Sequence, residues 1–165
     1  MIEEIAGKRP RLHETVYVHP MACVMGDVAA AEACSIWPMA VLRGDEAPIR
    51  LGARVNVQDG AVLHGGVQVG ADVTIGHRAV VHGALLEDRV LIGMGAIVLD
   101  GASIGADTIV AAGAVVPPGR SIPPGSMVMG IPAAVKRPLS QEEVQSIVQN
   151  AQVYGKLGQE SRARS

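Results

Sequence analysis

Residues 51–86 read LGARVN VQDGAV LHGGVQ VGADVT IGHRAV VHGALL, six blocks of six that each open on an aliphatic residue: Leu51, Val57, Leu63, Val69, Ile75 and Val81. A period of six matches neither a helix nor a two-sided antiparallel sheet. It fits a parallel β-helix in which every hexapeptide supplies one short flat wall and one turn. Three walls close a coil, so one coil takes 18 residues. A five-residue step after Val81 resets the phase, and the series resumes at Leu86, Ile92, Val98, Ile104, Val110, Val116, Ile122 and Val128. Toward the N-terminus it runs more loosely through Val18, Val24, Ala30, Ile36 and Leu42. Between Leu42 and Leu51 the segment RGDEAPIR is three residues over period and is expected as an excursion from the regular wall. Small residues at the fifth position, as in IGADTI and VAAGAV, fit a tight interior. Gly, Asp and Asn cluster at the turns, where positive φ is cheap for them.

The composition agrees with a thin, uniform core. The chain has 165 residues, one domain by length, with 48% hydrophobic residues, 20 glycines and no Phe. Its aromatic residues are Tyr17, Trp37 and Tyr154, which excludes base stacking as a main activity. A net charge of -2 gives no electrostatic reason for a nucleic-acid or anionic-membrane partner. No apolar run approaches the roughly 18 residues of a membrane span, and the opening MIEEIAGKRPRL lacks the features of a signal peptide. A cytoplasmic protein is expected. Cys23 and Cys34 form no CxxC motif and are expected as reduced packing residues.

The coil is expected over about residues 12–135, ending near Pro132, followed by one helix over about 139–158, all within a single domain, 1–165. In LSQEEVQSIVQNAQVYGKLG, Ser140 and Glu143 make a capping box. Val144, Ile147, Val148, Ala151 and Tyr154 share one helical stripe, which suits the prism or a neighbouring subunit. The tail QESRARS is expected to fray.

The histidines follow the same arithmetic. His64 and His82 both take the second position of their hexapeptides, one coil apart. They should stack on one edge about 4.8 Å apart, close enough for two imidazoles to share a metal ion. His77 takes the third position of the preceding hexapeptide, a third of the way round, and cannot easily join that pair within its own chain. Three chains about a threefold axis would bring His77 of one to His64 and His82 of the next. The intervals therefore predict a three-histidine metal site split across a homotrimer interface. Three neutral imidazoles with an open fourth position are the catalytic zinc arrangement, and zinc lowers the pKa of bound water to about 7. His13 and His19 have no such partners and are expected in surface or packing roles.

The runs IWPMAVLRGDEAPIRLGARVNVQDGAVLHG, VTIGHRAVVHG, VLIGMGAIVLDGA and GIPAAVKRPLS closely resemble the gamma-class carbonic anhydrase family over about residues 10–155. The resemblance implies an all-β fold, a left-handed parallel β-helix of hexapeptide repeats with one C-terminal α-helix, although ordinary crossovers are right-handed. It implies that His64, His77 and His82 bind the metal, two from one subunit and one from its neighbour. Zinc is the expected metal, with iron or cobalt as alternatives that three imidazoles also suit. Arg43 and Asp45 match a pair making ionic contacts near the interface. Asn56, Gln58 and Asp59 of NVQD match polar residues around the metal-bound water, and Glu46 matches an active-site glutamate, a candidate proton carrier. Asn56, Gln58 and Glu46 are thus the catalytic candidates, and Arg43, Asp45 and Asp59 the structural and interface ones. The implied reaction is reversible hydration of carbon dioxide to bicarbonate.

Two departures qualify this. The acidic loop that archetypal members insert after the first histidine ligand is missing: GGVQVGADVTIG simply continues the repeat. The tyrosine some members place late in the coil is replaced by SMVMG. Metal binding survives both changes, while fast turnover need not. Two other functions compete: an acyl-CoA thioesterase or acyltransferase on the same coil, and a non-catalytic trimeric subunit.

Overall fold

In the computed structural model, which describes residues 1–164, the aliphatic residue opening each hexapeptide points into the coil. Leu51, Val57, Leu63, Val69, Ile75 and Val81 are buried, as is every resumed position from Leu86 to Val128. The fifth positions turn inward as well. At one corner they form a column of alanines, Ala40, Ala61, Ala79, Ala96 and Ala114. Each fully buried Val, Leu or Ile stabilises by about 1.5–3 kcal/mol, so the ladder holds without aromatic filling.

Strands pair in parallel one coil apart: Val62–His64 with Val80–His82, Val67–Val69 with Leu85–Leu86, and Thr74–Ile75 with both Asn56–Val57 and Val90–Ile92. The result is the left-handed hexapeptide β-helix, about seven turns long, with a single C-terminal helix. The five-residue step is visible in the register. Leu63 pairs with Val81, but Val81 pairs with Val98, one residue short of a full coil. At the start, Ile2–Glu3 and Arg11–Leu12 both pair with Cys23–Ala30, so β-structure begins ahead of residue 12. At the end, Ala134–Pro138 closes Ser126–Met129 as an antiparallel strand.

The excursion expected at RGDEAPIR is a bulge inside a strand rather than a separate loop. Val41–Leu51 is one continuous strand that crosses two walls, pairing first with Val62–His64 and then with Val67–Val69. The surplus is absorbed as a bulge: opposite it Gly26 pairs with Gly44, but Val28 with Ile49, so two steps face five. Pairing on both flanks anchors the strand through Arg43 and Ile49, while the backbone of residues 45–48 bulges out of the ladder between them.

The turns also depart from expectation. Arg54, Asp72, Arg89 and Asp107 stack on one corner, all at positive φ. The arginine strain is offset by two-pronged ion pairs, Arg54 to Asp72 at 2.6 and 2.7 Å and Arg89 to Asp107 at 2.6 and 3.0 Å.

The helix runs Gln141–Arg162, capped by Ser140 with Glu143 returning to the cap backbone. Gln159–Arg162, expected to fray, is helical, and Ser165 lies outside the described residues. The helix packs on the wall of its own chain formed by Tyr17–Val18, Ser35–Ile36, Asn56–Val57 and Thr74–Ile75. Ile147 and Ala151 are buried there, followed by Gly155 and Gly158 rather than by Tyr154. A Cβ on Gly158 would stand 2.9 Å from that of Ser35, so bare glycine allows the close approach. All three aromatic residues meet at this seam: Trp37 lies edge-on to Tyr17 at 5.4 Å and to Tyr154 at 5.6 Å between centroids. Both cysteines are free thiols. Cys34 is buried, which pushes it up to about 12. Among the described residues no helix is long and apolar enough to cross a membrane.

Candidate metal centre

The register Val62–His64 against Val80–His82 puts two histidines at the same level of one corner, one coil apart. Their rings are 5.0 Å apart and tilted by 60°, and His64 Nδ1 stands 3.0 Å from His82 Nε2. Each ring's other nitrogen is held by a carboxylate. Asp45 Oδ1 lies 3.0 Å from His64 Nε2, and Asp100 Oδ1 lies 2.8 Å from His82 Nδ1. Asp45 arrives on the bulge, clamped at 2.7 Å by Arg43, and Glu46 Oε2 lies 3.8 Å from His64 Nε2. Desolvation opposes ionisation of Asp45. Backbone N–H groups of Glu46 and Asp45, the His64 ring and Arg43 outweigh it and hold the carboxyl below its ordinary range.

If both carboxylates accept from neutral rings, the hydrogens sit on His64 Nε2 and His82 Nδ1. The nitrogens facing each other at 3.0 Å are then two lone pairs, an arrangement that only a cation or an added proton makes favourable. Two imidazoles on a tetrahedral zinc, at about 2.0–2.1 Å each, hold their nitrogens roughly 3.3 Å apart. The donor set fits a metal, and carboxylates behind metal-bound histidines are its usual support.

His77 stands on a different corner, between the wall of Thr74–Ile75 and that of Val80–His82. Among the described residues no three His, Cys, Asp or Glu side chains of one chain could hold an ion together. Yet His77 is prepared in the same way, with Nδ1 3.0 Å from Asp59 Oδ2, leaving Nε2 for another partner. Its corner carries two exposed methionines, Met39 and Met94, at 59% and 62% exposure. His13 and His19 stay in N-terminal turns, beside Thr15 Oγ1 at 2.9 Å and accepting from the Met21 N–H at 3.1 Å.

Asn56 and Gln58 group with His77, not with the pair on their own chain. Gln58 Nε2 donates to Asn56 Oδ1 at 3.0 Å, Asn56 Nδ2 to Thr74 Oγ1 at 2.8 Å, and Thr74 to Asn150 Oδ1 of the helix at 3.2 Å. Gln58, His77, Met94 and Tyr154 line a cleft of about 300 Å³ between wall and helix, with a largely aliphatic floor of Leu91, Ile109 and Ala111. Burial, reinforced by the Asp59 charge, pushes the Tyr154 phenol above its ordinary value, so it stays a donor at neutral pH.

Sequence reasoning missed Asp100 and Tyr154. Asp100 is 18 residues after His82, but the five-residue step puts it level with Gly83 instead, so simple coil counting misplaces it. Tyr154 reaches the site from the helix, beyond any repeat.

Residues 83–118 match the model of the bacterial transferase hexapeptide family, described as six repeats. The chain is 37% identical to a carbonic anhydrase of Geobacillus kaustophilus, over 99% of this chain and 92% of that protein. It is 40% identical to the mitochondrial gamma carbonic anhydrase 2 of Arabidopsis thaliana, over 94% of this chain and 59% of that one. A solved structure of a hexapeptide transferase family protein from Anaplasma phagocytophilum superposes with a TM-score of 0.93 at 34% identity, covering 95% of both chains.

Proposed function

Since the chain belongs to the gamma-class carbonic anhydrase family of hexapeptide-repeat proteins, we propose that it hydrates carbon dioxide reversibly at a metal site shared between subunits of a homotrimer. The observation that carries this reading is the pair of ring nitrogens at 3.0 Å, each backed by an aspartate. His64 and His82 of one subunit, with His77 of the next, would hold the ion. When bound, zinc makes hydroxide available at neutral pH. Gln58, its Nε2 committed to Asn56, has its carbonyl oxygen left to accept a hydrogen bond from the hydroxide and orient it. The chain of bonds through Thr74 to Asn150 holds that carboxamide rigid. Glu46, two-thirds exposed beside His64, is placed to pass the released proton to solvent.

Subunit mixing tests the shared site. His77→Ala and His82→Ala should each abolish activity and metal binding. Refolded together, they should regain function at about a quarter of the interfaces, those that pair two intact halves. No recovery, or a metal-loaded monomer, would overturn the reading.

The cleft beside His77 favours a second reading. Its aliphatic floor of Leu91, Ile109 and Ala111 suits an acyl chain. An acyl-CoA hydrolase would use the same three histidines. Parallel assays of carbon dioxide hydration and acyl-CoA hydrolysis on one metal-loaded sample separate the two.

A further inference from the structure

We propose that Asp100 is a positioning residue that fixes which nitrogen of His82 is free to bind the metal. For the ion, this rests on the metal-site reading above; for the tautomer, it stands on the contact alone. Asp100 Oδ1 lies 2.8 Å from His82 Nδ1. A carboxylate can only accept, so His82 Nδ1 carries the hydrogen and Nε2 keeps its lone pair, aimed at His64 Nδ1. Among the described residues, no other acceptor contacts His82 Nδ1 to hold this tautomer.

The local sequence is built around the contact. Because Val81 pairs with Val98, Asp100 sits one residue beyond the level of His82, beside Gly83. Its carboxylate must reach back along the corner, and a Cβ on residue 83 would stand 2.5 Å from Asp100 Oδ1. Gly83, at φ +57, is therefore the opening through which Asp100 reaches the ring. The three candidate ligands are thereby treated alike: Asp45 backs His64, Asp59 backs His77 and Asp100 backs His82.

The test uses the full-length protein with Asp100→Ala and Asp100→Asn. Nitrogen-15 NMR of the metal-free protein is expected to show His82 with its hydrogen on Nδ1, and Asp100→Ala to shift it toward Nε2. Zinc affinity, measured by competition with a chromophoric chelator, should fall about 10–100-fold in Asp100→Ala. Asp100→Asn keeps an oxygen acceptor and should retain the tautomer with a smaller loss. The thermal midpoint of the metal-free variants should match that of the parent, separating positioning from folding. An unchanged tautomer in Asp100→Ala overturns the proposal, whatever happens to affinity. If the parent binds no zinc but the tautomer still depends on Asp100, the positioning stands and the metal reading fails.

Discussion

The ring of His82 lies over the bare α-carbon of Gly65: a Cβ there would stand 2.6 Å from His82 Cε1 and 2.9 Å from its Nδ1. Gly65 also sits at φ +74, in the left-handed region. Gly65→Ala should therefore act twice. The backbone strain should cost about 1–2 kcal/mol, read as a lower thermal midpoint. The displaced ring should also cut zinc affinity, which backbone strain elsewhere in the coil would not do. A variant with parental affinity would show that the ring has other room to move.

His82→Ala should lose bound metal and activity together while the coil persists. The core is the aliphatic ladder from Val24 to Val128, and His82 contributes nothing to it. The metal-free variant should unfold within roughly 0.5 kcal/mol of the parent. Metal analysis and thermal unfolding check both halves. Full metal content in the variant would remove these histidines from the site.

Glu46→Gln should slow carbon dioxide hydration several-fold in weak buffer while sparing metal content. Glu46 and Asp45 are the carboxylates beside His64 Nε2, at 3.8 and 3.0 Å, and Asp45 is already committed to Arg43. Added imidazole should restore the variant's rate, because a soluble base then takes the proton. A rate in weak buffer that ignores the substitution would assign the proton to another group.

The helix anchor should weaken in acid. The Arg137 guanidinium, then the Ser140 backbone N–H, hold Glu143 down to about 2 from an ordinary 4.5. A carboxyl depressed in the folded state stabilises above its unfolded value, and that contribution fades as pH falls from about 4.5 toward 2. Far-UV circular dichroism should show helicity dropping over that window. In Glu143→Gln, lower helicity at neutral pH and a flatter profile through the window are expected.

Much of this was legible because a β-helix converts spacing directly into position. The aliphatic residues at every sixth place are the buried ladder, and the interval between His64 and His82 is their contact. Legibility failed wherever the period did. The three surplus residues of RGDEAPIR look like a loop that leaves the wall. Flanking strands instead hold it in the sheet and let a bulge absorb them. Asp100 was hidden by the single five-residue step. Arg54 and Arg89 occupy left-handed turn positions that residue preference assigns to Gly, Asp or Asn, because an aspartate one coil on binds each guanidinium. The place of Tyr154 beside His77 depends on how the helix docks, which no repeat encodes.

The bulge in Val41–Leu51 makes the chemistry of this corner separable from its architecture. Deleting Asp45, Glu46 and Ala47 would return the segment to the six-residue rhythm, with Leu42 and Leu51 in consecutive wall positions. The shortened chain should still wind into an unbroken coil and melt as one unit. It would, however, strip His64 of both neighbouring carboxylates at once. Length variation at these three residues would thus add or remove the carboxylates behind His64 without re-registering any other turn.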